Sequence, residues 1–130
     1  MSRVIAIGVG CRVGVEGEAI AALARRALAQ AGPPEGELRL FTLAAKADEP
    51  GLAEAARLLG ASLAALPLAA LQAEAGRILT PSAAAQARFG APNVAEAAAL
   101  AGAGRGARLI GPRLAADGAT CAIALSQEDP

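Results

Sequence analysis

The stretch VIAIGVGCRVGVEGEAIAALARRAL, beginning at Val4, restricts the fold more than any other part of the chain. Val4–Val9 is a short apolar run rich in β-branched residues, which marks a buried strand and is too short for a helix. Glycines then crowd the segment from Gly10 to Gly17, which reads as a loop. From about Glu16 the apolar positions Ile20, Leu23, Ala24, Ala27, Leu28 and Ala31 fall on one helical stripe. GPPEGE stops that helix with Gly followed by Pro. LRLFTL (Leu38–Leu43) makes a second strand, with Leu38, Leu40 and Thr42 on one face and Arg39, Phe41 and Leu43 on the other. A strand, a helix and a strand at this spacing form a right-handed βαβ unit with parallel strands.

The rest of the chain continues the alternation. A helix with Pro50 in its first turn ends at Gly60, and SLAALP supplies a third strand before the short helix LAALQAE. Thr80-Pro81 opens a helix that runs through Phe89 and closes at Gly90. Asn93 and Glu96 have capping-box spacing at the head of VAEAAALAGAG. ARLIG and GATCAIAL, joined by PRLAADG, lie too close in sequence for a helical crossover and read as an antiparallel hairpin. The expected fold is one α/β domain over residues 1–125, three-layer α/β/α. Its sheet is mixed, mostly parallel, with about five strands ending in that hairpin. Residues 126–130, SQEDP, read as a disordered tail.

Composition narrows the function. Twelve basic and twelve acidic residues cancel in a chain of 130, so no global field draws it to nucleic acid or to a membrane surface. The only aromatics are two Phe, too few for a base-stacking platform. With no His, and with Cys11 and Cys121 far apart, neither a Cys/His metal site nor a His-activated nucleophile can be assembled. No metal and no cofactor is expected. IGVGC superficially resembles a lipoprotein cleavage site. Its apolar stretch is about six residues, however, where an export signal needs roughly 7–15. A cytoplasmic chain is expected. The excess of Ala, Gly and Arg over Lys fits a GC-rich bacterial genome.

The glycine pattern does not match a nucleotide cradle. Gly8, Gly10 and Gly14 are spaced one residue too long for the dinucleotide fingerprint, and Leu43, Ala44 and Ala45 stand where a ribose-binding acid belongs. The underlying physics still holds: backbone amides at a helix N-terminus favour an anion, and Arg12 adds a forked donor suited to carboxylate. In open α/β sheets the crevice lies beyond the carboxyl ends of the strands, and the second strand delivers Lys46, Asp48 and Glu49 there. The competing reading is that Gly8 and Gly10 only permit tight strand–helix packing.

GVGCRVG, KADEPGLAEAA, SAAAQARFGAPNVAEAAAL and ATCAIAL after Arg113 together resemble the CobE/CbiG C-terminal domain family of cobalamin biosynthesis. The resemblance runs over nearly the whole chain in the family's order, and it implies the stand-alone, CobE-like form. One departure is Val13, where the family often has Lys or Arg. The resemblance implies a precorrin or hydrogenobyrinic-type tetrapyrrole as ligand, carried or processed, with other corrin-pathway enzymes as further partners. It also implies an alternative activity like that of CbiG, which opens a cobalt-precorrin-5A lactone with release of acetaldehyde. A third possibility is a structural partner of another pathway enzyme. Such tetrapyrroles are apolar rings fringed with carboxylates, the chemistry that a loop with Arg12 and Lys46 accommodates.

The candidate ligand-binding residues are therefore Gly8, Gly10, Cys11, Arg12, Gly14, Lys46, Asp48, Glu49, Ser82 and Glu96. For catalysis the candidates are Glu49 or Asp48 as a base on water, and Cys11 as a nucleophile near a helix start, where a thiolate is favoured. Each has a structural alternative. Cys11, which lacks a His base, reads more readily as a small buried loop residue, Asp48 or Glu49 as a helix cap, Ser82 as first-turn filler, and Glu96 as the reciprocal half of the Asn93 capping box.

Overall fold

Along β1 (Val4–Cys11) large and small side chains alternate, and that alternation decides how the layers stack. Ile5, Ile7 and Val9 point to one face of the sheet, Ala6 and Gly8 to the other. The antiparallel neighbour β6 (Ala119–Leu125) repeats the pattern, with Cys121, Ile123 and Leu125 on the first face and Ala122 and Ala124 on the second. Helices α1 (Gly17–Gln30) and α2 (Pro50–Leu59) cover the large-residue face through Ile20, Leu23 and Leu52. Helix α5 (Val94–Ala103) lies on the small-residue face.

The structure, a computed structural model, describes residues 3–32, 35–90 and 93–127. Its sheet also contains β2 (Glu37–Leu43), β3 (Ser62–Leu66), β4 (Arg108–Leu109) and β5 (Leu114–Ala116). The strand order is β3-β2-β1-β6-β4, with β5 also paired to β6. Strands β1, β2 and β3 are parallel, as the βαβ reading requires, and β6 closes the sheet antiparallel to β1. Helices α3 (Leu68–Gln72) and α4 (Ala83–Phe89) lie between β3 and α5 in the chain. The expected three-layer α/β domain with a mixed sheet is thus observed. None of the helices among the described residues is long and apolar enough to cross a membrane.

The expected antiparallel pairing of ARLIG with GATCAIAL is present as β4 against β6, but the connector PRLAADG is not only a loop: it supplies β5, which forms the tight hairpin with β6. Asp117 and Gly118 both have positive φ, 52° and 84°, which fits a two-residue Asp-Gly turn between β5 and β6. Before it, the Ile110 amide donates to the Ile123 carbonyl at 2.8 Å, and the next pair is Leu114 with Cys121. Residues 111–113 therefore stand opposite Ala122 alone. This bulge turns the Arg113 amide away from the strand ladder. At the chain's end Ser126 is tied to Val4, its amide donating to the Val4 carbonyl and its hydroxyl accepting from the Val4 amide. Of the tail expected over 126–130, residues 128–130 lie outside the described residues.

Candidate ligand-binding cavity

Beyond the carboxyl ends of β1 and β2 a cavity of about 450 Å³ opens, within the range of small-molecule sites. Its floor is Gly10 and Cys11 of β1, Leu43 at the end of β2, and Val94 at the head of α5. One wall is α4, through Ala84, Ala85, Arg88 and Phe89; the other is the β5–β6 hairpin, with Ala115, Ala116 and Thr120. Four cationic side chains line it: Arg12, Lys46, Arg88 and Arg113, against one acid, Asp117. Lys46 Nζ lies 5.8 Å from the centre of the Phe89 ring, and the Arg88 guanidinium carbon 5.3 Å from it. Both distances are in the range of cation–π attraction. Arg12 and Lys46, expected at one mouth from sequence, are at one mouth.

Several sequence expectations change. The expected loop over Gly10–Gly17 begins two residues later: β1 continues through Cys11, so Gly10 joins Gly8 as a ladder residue and the loop starts at Arg12. Gly8 is buried beneath α5, where a Cβ would land on the Ala95 carbonyl oxygen and 2.6 Å from the Ala99 nitrogen. Its packing reading holds, and it does not line the cavity. The loop amides expected to cradle an anion bond within the protein instead. The Arg12 amide donates to the Gly118 carbonyl at 2.9 Å, the Val15 amide to the Arg12 carbonyl at 3.4 Å, and the Gly14 amide to Glu49 Oε2 at 3.1 Å. Gly14 has φ +81°, a conformation that suits glycine. Cationic side chains, rather than main-chain amides, give the mouth its charge.

Cys11 pairs with Ala119 across the sheet and lines the floor. Burial pushes its thiol above the ordinary value; nearby Lys46 pulls it down and Glu49 pushes it up. Burial therefore disfavours the thiolate, and Cys11, at the end of a strand, lacks the helix start expected to stabilise it. Asp48 is exposed and Glu49 half-buried at the head of α2, and neither lines the cavity. Glu49 occupies the cap position of α2 without a side-chain cap bond, its carboxylate holding Gly14 instead. Ser82 is the N-cap of α4, its hydroxyl accepting from the Ala85 amide at 3.1 Å.

Glu96 is fully buried. Asn93 caps its amide, as capping-box spacing predicts, but the Glu96 carboxylate does not return to Asn93. Oε1 accepts from the Leu79 and Thr80 amides at 2.8 and 2.9 Å, and Oε2 from the Arg113 amide at 2.9 Å. Arg88, Phe89 and the Asp117-Gly118 turn were not among the candidates read from sequence. Arg88-Phe89 ends a short helix that buries none of its residues, and no periodic signal singles it out.

Comparison with known proteins agrees with this fold. The family model described as Cobalamin synthesis G C-terminus matches residues 5–124. A curated relative, Protein CobE from Sinorhizobium sp., is 43% identical over 121 residues, covering 92% of this chain and 79% of that protein. Among solved structures, that of CobE, a protein from the cobalamin (vitamin B12) biosynthetic pathway, superposes with a TM-score of 0.90 at 37% identity. It covers 100% of this chain and 95% of that one. The cobalamin biosynthesis protein chiG from Agrobacterium tumefaciens superposes with a TM-score of 0.71 at 39% identity, over 95% of this chain and 99% of that one.

Proposed function

This chain belongs to the cobalamin synthesis G C-terminus family, and we propose that its cavity binds a carboxylate-rich corrin or precorrin tetrapyrrole in the cytoplasm, carrying it between pathway steps. The observation that supports this is the joint placement of Arg12, Lys46, Arg88 and Arg113, against the single acid Asp117, around a space whose apolar lining is Phe89, Leu43, Val94 and alanines. Cations at the mouth suit peripheral carboxylates, and the apolar walls suit the ring between them. Binding takes precedence over lactone hydrolysis for a chemical reason. Glu49 and Asp48 both lie outside the cavity lining, and burial pushes the Cys11 thiol above its ordinary value. None of the three is poised as base or nucleophile.

The test is a visible-absorption titration with hydrogenobyrinic acid. Wild-type protein should shift the spectrum on mixing, with no slow second phase. Arg12→Ala should weaken binding about tenfold and lower its salt dependence, as loss of one charge-assisted contact implies. A product forming over time would favour the hydrolytic reading. No spectral change would favour a structural partner of another pathway enzyme.

A further inference from the structure

Glu96 is a buried carboxylate that the binding reading leaves without a task. It sits in the first turn of α5, whose head forms the cavity floor, and its oxygens hold two different walls. Oε1 takes the amides of Leu79 and Thr80, which lead into α4. Oε2 takes the amide of Arg113, freed by the bulge on the hairpin side. Asn93 doubles the first attachment, its Nδ2 donating to the Thr80 carbonyl at 2.8 Å. Helix α4 has no fully buried residue; its last residue, Phe89, packs partly against the α5 core, and the rest of its anchorage comes from the segments at its two ends. Beyond its C-terminal end, the Gly90 carbonyl accepts from Gln72 Nε2 at 3.0 Å; before its start, the attachment is Glu96.

We infer that Glu96 is a positioning residue that fixes the separation between the Arg88–Phe89 wall and the Arg113 wall, so that cations on opposite sides engage one polycarboxylate together. Its functional half rests on the tetrapyrrole reading of the cavity. Both ties are charge-assisted bonds to main chain, which set backbone position rather than a side-chain rotamer. Glu96 itself touches no ligand.

A double-mutant cycle, read by hydrogenobyrinic acid titration, tests the inference. Arg88→Ala alone should lose about tenfold in affinity, and Glu96→Gln alone about as much. In the Glu96→Gln background, Arg88→Ala should lose less than about twofold, because Arg88 no longer reaches the ligand. Leu100→Ala, which destabilises the same helix from its buried side, should leave the full Arg88 effect. Additive losses in the Glu96→Gln background would overturn the inference.

Hydrogen exchange of the wild type needs no variant to fold. The Leu79, Thr80 and Arg113 amides should be slow together, and an Arg113 amide exchanging at loop rates would also overturn the inference. A wild type that ignores hydrogenobyrinic acid while these amides stay slow would remove the cavity reading and leave the clamp standing.

Discussion

Toward α1 and α2 the two central strands present Ile5, Ile7, Val9, Ile123 and Leu125; toward α5 they present Ala6, Gly8, Ala122 and Ala124. The first face gains stability from apolar area, because each branched side chain removed from water contributes about 1.5–3 kcal/mol. The second has little area per residue and gains instead from proximity. Alanines of α5 rest directly on β1, and Gly102 leaves room for the Phe41 ring. The difference teaches where each face tolerates change. The first is an ordinary core that can lose a methyl group, whereas the second cannot accept one. Close approach also sets the head of α5, through Val94, at the floor of the cavity, with Glu96 buried behind it and bonded to the segments of both walls.

Adjacent residues on β1, Gly8 and Ile7, face these two layers. Gly8→Ala adds one methyl against the Ala95 carbonyl, which is backbone and cannot swing aside. It should cost about 3 kcal/mol in denaturant unfolding and weaken tetrapyrrole binding as α5 is displaced. Ile7→Val removes one methyl from the opposite face and should cost about 1 kcal/mol with binding unchanged. Equal costs at the two positions would show that α5 is not in backbone contact with β1.

A third effect is small near neutrality and belongs to the large-residue face. Burial, with Cys11 close by, pushes the Cys121 thiol from 9.0 up to about 12. The unfolded chain ionises that thiol first as pH rises, so it binds fewer protons than the folded chain between those values. The contribution is intact below pH 9 and declines as pH climbs toward 12. Wild-type stability should fall by about 1 kcal/mol between pH 8 and 10 through this group, a loss that Cys121→Ala removes. An unchanged pH profile in the variant would show that the thiol is solvated.

Much of this was legible in the sequence because local chemistry agreed with the fold. The βαβ start, Pro50 and Gly60 bounding α2, the Asn93 cap and the terminal hairpin all follow from residues near one another in the chain. That Arg12 and Lys46 line one cavity was legible because both follow the carboxyl ends of parallel strands. The strand at Val4–Val9 was legible, but its end was set two residues short, because the density of glycine from Gly10 suggested a loop where the large-then-small alternation continues to Cys11. Cys11 was misplaced with it. Glu96 looked like a local cap because its partners at Leu79, Thr80 and Arg113 meet it only through tertiary structure. Arg88 was not visible for the same reason, since α4 has no apolar face of its own.

If cations on both sides of one cavity recognise peripheral carboxylates, hydrogenobyrinic acid and its fully methyl-esterified form should separate sharply in a visible-absorption titration. The ring is the same in both and only the charges differ. The account predicts that the acid binds with an affinity that falls steeply with salt, and that the ester binds at least about a hundredfold more weakly with no salt dependence. Equal affinities for acid and ester would contradict it.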